Sequence, residues 1–214
     1  MRETGMGPGE RPGSERDRLV ALTMNLIEQR GSGVTRHDLA SASGLPRARI
    51  EALFPDEDSL FDATVENWFA EHITIMEEVV ASDLPPNRKI YEFIARRFLL
   101  NRSRYRADPA AFKVYCELGT MNFERVRSYV DLADHYLCEL IAQAQAEGAF
   151  EGLAIDEALS LINQMVVPYT LTDILTLMEH RLSEAKLGRI IDTLFAGLTA
   201  ADGGARGVKG LRAA

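Results

Sequence analysis

The chain has 214 residues, with 32 acidic against 24 basic side chains, a net charge of -8 and a pI near 5.1. That balance excludes a protein held to nucleic acid or to an anionic membrane by bulk charge. Hydrophobic residues make up 46% and charged residues 26%, which excludes a disordered chain and supplies core for one or two modest domains.

Residues 1–14 are rich in glycine, carry Pro8 and Pro12 and lack the apolar stretch a signal peptide needs, so they are expected to be a disordered tail. Gly5, Gly7 and Gly9 imitate a nucleotide-binding fingerprint, without the strand that must precede one. Leu19, Leu22, Thr23, Leu26 and Ile27 then form a helical stripe that Gly31 stops. Thr35 and Asp38 have the spacing of a capping box for a short second helix, which Gly44 ends. Pro46 suits the first turn of a third helix through Ile50, Leu53 and Phe54, closed by Pro55.

Longer helices follow. Asp56 or Asp58 is expected to cap one with Phe61, Val65, Trp68, Phe69, His72, Met76 and Val79 on a face, broken by Pro85-Pro86. The next runs from about Arg88 to Tyr105. Asp108-Pro109 starts another toward Leu118, with Gly119 as its stop. Val126, Val130, Ala133, Leu137, Leu140 and Ala144 mark a long amphipathic helix ending at Gly148. Ile155, Leu159, Ile162, Met165 and Val166 begin a helix interrupted at Pro168 and resumed through Leu175 and Met178. Leu187, Ile190, Ile191, Leu194 and Leu198 form the last, before a flexible tail at 201–214. The fold class is all-α, with about nine helices and no strand. No run approaches the roughly 20 apolar residues that span a bilayer.

Two short helices joined by a tight glycine turn and braced by a third make the helix-turn-helix plan. The motif occupies residues 35–54, within a DNA-binding domain placed at 15–58. At about 100° per residue, Ile50, Leu53 and Phe54 point inward while Ala48 and Ala52 point outward between Arg49 and Glu51. Two alanines let the helix approach a groove floor closely. Arg49 can donate bidentately to guanine, and Glu51 can accept from cytosine N4. Arg47 and Arg36 are placed for phosphate, and Thr35 and Pro46, at the two helix starts, join the expected DNA-binding set.

The run from Leu19 to Thr64 resembles the N-terminal domain of the tetracycline-repressor (TetR) family of bacterial transcription regulators. The resemblance rests on the first-helix stripe ending in Arg30-Gly31, on Asp38-Leu39-Ala40, on Gly44-Leu45, and on Phe54-Pro55 followed by Leu60. It implies a three-helix DNA-binding head and a larger helical ligand-binding and dimerising domain, here 59–200. Two positions depart from that family's pattern. Glu51 stands where an aromatic, usually Tyr, is common, and Glu57 where a basic residue, usually Lys, is common. The loop between Gly31 and Thr35 is also about one residue shorter. From Glu15 to Leu60 there are six arginines and eight acids, a net of -2. The charges are therefore expected to segregate, with arginines at the groove and a shallow dependence of binding on salt.

The resemblance implies a pocket in the larger domain whose ligand shifts the spacing of two DNA-reading heads. Trp68, Phe98, Phe112, Tyr115, Met121, Met165 and Tyr169 are its expected apolar lining, and His72, Cys116, Tyr136 and Asn163 its polar contacts. The ligand expected is small and largely apolar. The last two helices, about 156–179 and 183–200, are implied to form a four-helix bundle with a twofold mate. The partners so implied are a double-stranded operator with two half-sites, the ligand, and a second copy of the chain, with no membrane.

No catalyst, cofactor or metal site is legible. His37, His72, His135 and His180 sit in separate elements, and Asp131, Asp134 and His135 read as a solvated or weakly paired helix face. Cys116 and Cys138 lack zinc or redox spacing and read as reduced thiols of a cytoplasmic protein. Arg96, Arg97, Arg102, Arg104 and Arg106 read as a solvated face, in which Arg97 or Arg104 is placed to pair with an acidic ligand. The reading is a ligand-responsive repressor. Its rival is a helical small-molecule-binding or interaction module whose head has lost DNA, with Glu51 and Glu57 set against Arg47 and Arg49.

Overall fold

The computed structural model describes residues 14–31 and 33–204, and among these there are ten α-helices, one 3-10 turn and no strand. Of the expected tails at 1–14 and 201–214, residues 1–13 and 205–214 lie outside the described residues. Two compact units divide within the fourth helix, one ending at Trp68 and the other beginning at Phe69.

In the first unit, α1 (Glu15–Arg30), α2 (Arg36–Ser43) and α3 (Arg47–Leu53) are followed by α4 (Glu57–Ala81). Ser14 with Asp17, and Thr35 with Asp38, each form a reciprocal capping box that satisfies N–H groups left open at a helix start. Gly44 ends α2 at φ 69°, ψ 10°, a left-handed geometry that any side chain with a Cβ disfavours. Pro46 stands at the N-cap of α3, one position before the first turn where it was expected. Asp56 caps α4 by accepting from the Ser59 N–H at 2.7 Å. Leu19, Val20, Leu39, Ile50, Phe54, Leu60 and Ala63 form one buried cluster, with Leu39, Ile50 and Phe54 wholly inaccessible. Because Leu60 and Ala63 belong to that cluster, the start of α4 folds with the head. The junction expected at 58/59 therefore falls inside a helix.

In the second unit, α5 (Pro86–Ala107) packs against α6 (Pro109–Met121), α7 (Phe123–Ala146), α8 (Ile155–Thr170), α9 (Thr172–Met178) and α10 (Glu184–Thr199). Its central position explains why it buries Ile90, Phe93, Ile94 and Phe98. Facing residues include Leu137, Leu140 and Ile141 of α7, Ile162 and Val166 of α8, and Leu187 and Ile191 of α10. At roughly 1.5–3 kcal/mol per buried large apolar side chain, this cluster dominates the unit's stability.

Several boundaries differ from expectation. Pro86 opens α5 at its first position, where the missing N–H has no helical partner to lose, so the helix starts before Arg88. Helix α6 passes through Gly119 to Asn122, whose N–H and side-chain amide both donate to the Leu118 carbonyl. Helix α7 stops in a Schellman arrangement: Gly148 donates to Gln145 and Ala149 to Ala144, with Gly148 at φ 86°. Pro168 lies inside α8. The break comes at Leu171, which is extended at φ -86°, ψ 121°, so what was expected as one interrupted helix is two, and ten helices stand where about nine were expected. Residues 201–204, expected to be frayed, form a turn in which Gly203 donates to Ala200 and packs on Leu153.

Candidate functional site

The head presents α3 with Pro46, Arg47, Ala48, Arg49, Glu51 and Ala52 all exposed, while Ile50 is wholly buried. The expected reading face is thus one continuous surface, with small residues at its centre. Its arginines are held by acids. Arg47 Nε donates to Glu51 Oε1 at 2.7 Å, one turn along the same helix. Arg49 donates from Nε and Nη2 to Glu15 Oε2 at the start of α1, the Nε bond measuring 3.0 Å. That bond pulls the Glu15 carboxyl below its ordinary value and raises the Arg49 guanidinium above its own.

Arg36, expected at phosphate, is occupied inside the head. Its Nε and backbone N–H donate to the Glu57 carboxylate at 3.2 and 3.0 Å, and its Nη1 donates to the carbonyls of Phe54 (3.1 Å) and Pro55 (2.6 Å). Glu57 therefore holds the start of α2, and through Arg36 the end of α3, rather than displacing a phosphate contact. The Thr35 hydroxyl is likewise committed, accepting from the Asp38 N–H and donating to its carboxylate at 2.6 Å. That hydrogen bond is the main reason the Asp38 carboxyl sits low. The pairs Arg36–Glu57 and Arg49–Glu15 span 21 and 34 residues, so no local sequence signal announces them. Replacing Glu57 by Lys, the residue common in that family, is expected to lower the stability of the head by about 1 kcal/mol. Urea unfolding of the two chains checks this; a Lys variant at least as stable as the parent would contradict the clamp.

In the second unit, the expected ligand residues do not form one set. Phe98, Phe112, Tyr115 and Tyr169 are buried, and Phe98 meets Tyr169 edge to face at 5.1 Å. The Tyr169 hydroxyl donates to the Ser183 carbonyl, and the Tyr136 hydroxyl to Glu77. Cys116 is half-buried, and burial pushes its thiol up, away from reactive thiolate. Met121 and Met165 are exposed by 76% and 55%, so neither faces an interior; both lie on outward helix surfaces. Trp68 is half-buried and belongs to the first unit. A small apolar cleft of about 10 Å³ is instead lined by Ile90, Phe150, Ile162, Ile191, Leu194, Phe195 and Leu198, none of them in the expected set.

A buried polar cluster lies on α5 and its neighbours. Arg97, Asn101 and Arg104 share one face of α5 at helical spacing. Arg104 donates to Glu71 at 3.2 Å. Arg97 lies over the Phe93 ring at 5.0 Å, and its buried Nε has no hydrogen-bond partner among the described residues. Asn101 Oδ1 is buried and also lacks one. Asp134 acts on Arg97 electrostatically, but its Oδ1 accepts from Asn163 Nδ2 at 2.9 Å. The arginines of α5 are thus not one solvated face: Arg96, Arg102 and Arg106 pair with Glu78, Glu184 and Glu179, and Arg97 points inward. Asp134, expected on a solvated face, is half-buried in this cluster.

His72 is 5% exposed, and burial, reinforced by the charges of Arg97 and Arg104 and opposed by Asn101, lowers its pKa to about 3. The folded chain therefore refuses a proton that the unfolded chain accepts below an ordinary histidine value of about 6.5. Stability is expected to fall as pH drops from about 6.5 toward 3, by about 2 kcal/mol between pH ~7 and pH ~5. The acids held low by hydrogen bonds act only below about pH 5, outside the comparison of pH ~7 with pH ~5. Urea unfolding at both pH values checks it, and the loss should vanish in His72→Gln; an unchanged loss in that variant would contradict it.

Among the described residues no group of three His, Cys, Asp or Glu side chains could hold a metal ion, and no helix is long and apolar enough to cross a membrane. A model of the tetracyclin repressor-like C-terminal domain matches residues 86–191. The HTH-type transcriptional regulator YvaF of Bacillus subtilis (strain 168) is 33% identical over 66 residues, 31% of this chain and 35% of that protein. The match thus spans about a third of the relative's length. A TetR-family transcriptional regulator from Rhodococcus sp. superposes with a TM-score of 0.61 at 15% identity, covering 84% of this chain and 98% of that one. The fatty acid degradation regulator FadR from Bacillus halodurans gives 0.58 at 16%, covering 87% and 96%. A TetR transcriptional regulator from Legionella pneumophila gives 0.57 at 16%, covering 87% and 100%. At these identities the structures share the fold.

Proposed function

The chain belongs to the TetR family of transcription regulators, and on that premise we propose that it is a homodimeric repressor released from its operator by a small molecule. The observation that carries the reading is the exposed α3 face. Ala48 and Ala52 open a close approach, Arg49 stands beside them for a base edge, and Arg47 stands at the helix start for phosphate. Glu51 is placed to accept from cytosine once Arg47 turns to the backbone.

Competition decides whether the paired arginines remain available. An exposed ion pair is worth about 0–1 kcal/mol, whereas a bidentate contact to a base is worth about 1–3 kcal/mol, with phosphate attraction in addition. Duplex DNA is therefore expected to displace Glu15 and Glu51. The acids lower non-specific affinity more than specific affinity, because only the correct base returns the full bidentate bond. The rival reading, a ligand-binding module without DNA, is favoured by the same pairing of Arg47 and Arg49 with acids. Selection of duplexes from a genomic library by the full chain separates the two. Enrichment of an inverted repeat with half-sites one or more helical turns apart supports the repressor; recovery of no sequence motif supports the module.

Two helices of the second unit offer the surface for a second copy. On α8, Leu161 and Met165 are exposed by 39% and 55%, one turn apart. On α10, Thr193, Ala196 and Gly197 are exposed and small, which allows close helix packing. Helix α4 carries residues of both units, so it offers a covalent route from a ligand to the heads.

A further inference from the structure

We infer that the ligand of the second unit carries a carboxylate, taken by Arg97 on the inner face of α5, and that the rest of the ligand is apolar. The inference rests on the reading of that unit as a ligand-binding domain, and adds the chemistry of what it binds.

Two unmet hydrogen-bonding needs meet one helical turn apart. Arg97 Nε is a buried donor without an acceptor, and Asn101 Oδ1, on a residue only 8% exposed, is a buried acceptor without a donor. An unpaired buried polar group is destabilising, more so when it belongs to a cation, and such groups are uncommon in folded proteins. The neighbours meet these needs only in part. Arg104 is held by Glu71, Asn163 occupies Asp134 Oδ1, and His72, which burial keeps neutral, lies close enough to interact with the Asn101 side chain but adds no charge to the cluster. Asp134 offsets the Arg97 charge electrostatically without giving Nε an acceptor. The Arg97 guanidinium lies over the Phe93 ring, and Tyr115 is close enough to act on Arg104, so the walls beside the polar stripe are aromatic.

A carboxylate meets the Arg97 requirement as a charge-assisted, fork-to-fork pair. A hydroxyl next to that carboxylate would donate to Asn101. A neutral carbonyl would meet only the first need, and without the charge. The ranking expected is therefore hydroxy acid, then acid, then ester, then alcohol.

The test uses the full chain and calorimetric titration with α-hydroxydecanoate, decanoate, methyl decanoate and decanol. Decanoate is expected to bind roughly tenfold to a hundredfold more tightly than its methyl ester. Arg97→Met is expected to remove that preference, and the unliganded variant to melt no lower than the parent, because a partly buried guanidinium whose Nε has no acceptor is replaced by an apolar side chain of similar length. An ester as tight as the acid in the parent chain, no binding by any of the four, or a folded Arg97→Met chain that keeps the acid preference would each overturn the inference. Adding the same acid to a preformed DNA complex tests the regulatory reading separately. An acid that binds through Arg97 and leaves that complex intact refutes release by this ligand while the carboxylate site stands.

Discussion

Placing glutamates at Leu161 and Met165 together is expected to convert a dimer into a folded monomer. Both side chains lie on the outer surface of α8 and contribute little to the chain's own core, so the fold should survive the change. In a twofold assembly each substitution acts twice, since the same patch faces itself across the axis. Burying four such side chains is worth roughly 1.5–3 kcal/mol each, and burying carboxylates in their place is unfavourable in its own right. Since Leu161 and Met165 are already partly buried in the protomer, the expected loss is roughly 3–6 kcal/mol, or about two to four orders of magnitude in the dimer dissociation constant. Light scattering after size exclusion reads the mass, and circular dichroism confirms that the helices remain. A double-glutamate chain that stays dimeric would remove α8 from the interface, and a parent chain that runs as a monomer would remove the two-half-site geometry as well.

The second large effect is expected at Arg49. Truncation to Ala removes a bidentate contact worth about 1–3 kcal/mol from each head. For a dimer on a two-half-site operator the loss is therefore roughly 30-fold to ten-thousandfold. Glu15→Gln should act in the opposite direction, because it frees Arg49 from the acid that holds it in the unbound head. The two variants bracket the role of the ion pair: one loses the reader, the other loses only its competitor. Neither should change stability much, as both groups are partly exposed and such pairs are weak. An Arg49→Ala chain that binds its operator within a factor of about two of the parent would show that the base contact lies elsewhere.

The local devices were legible in the sequence. The Thr35–Asp38 box, the Gly44 stop, the Asp108-Pro109 start and the Gly148 stop all depend on residues within one or two turns of each other. Each forms as its spacing dictates. A single glycine or proline does not break a helix on its own. Gly119 lies within a helix whose end is instead fixed by Asn122, and Pro168 is carried through α8. Charges that meet across the chain were beyond reach. Glu57 read as an anion in the way of a phosphate, and only tertiary contact makes it the acceptor that locks Arg36.

The second unit shows the same limit. Periodicity places Met121 and Met165 on stripes, but a stripe does not say which neighbour it meets, and both emerge on the outside. His72, Asn163, Asp134 and Arg97 lie far apart in the sequence, and they meet Asn101 only because α5 threads the centre of the bundle. The apolar cleft has no local signature, because Phe150, at φ 56°, and Phe195 are brought to ring centroids 4.8 Å apart by the turn after α7.

The most direct measurement is the salt dependence of binding, read by fluorescence anisotropy, between the full chain and a duplex from the DNA flanking its own gene. Arg36 is held within the head and the remaining arginines are few, so sequence-dependent binding is expected with a log–log slope of roughly -4, against about -10 for lac repressor. A steep slope approaching -10 would contradict a reader built on a few placed arginines. Affinity for that duplex no greater than for a random one would contradict DNA reading altogether.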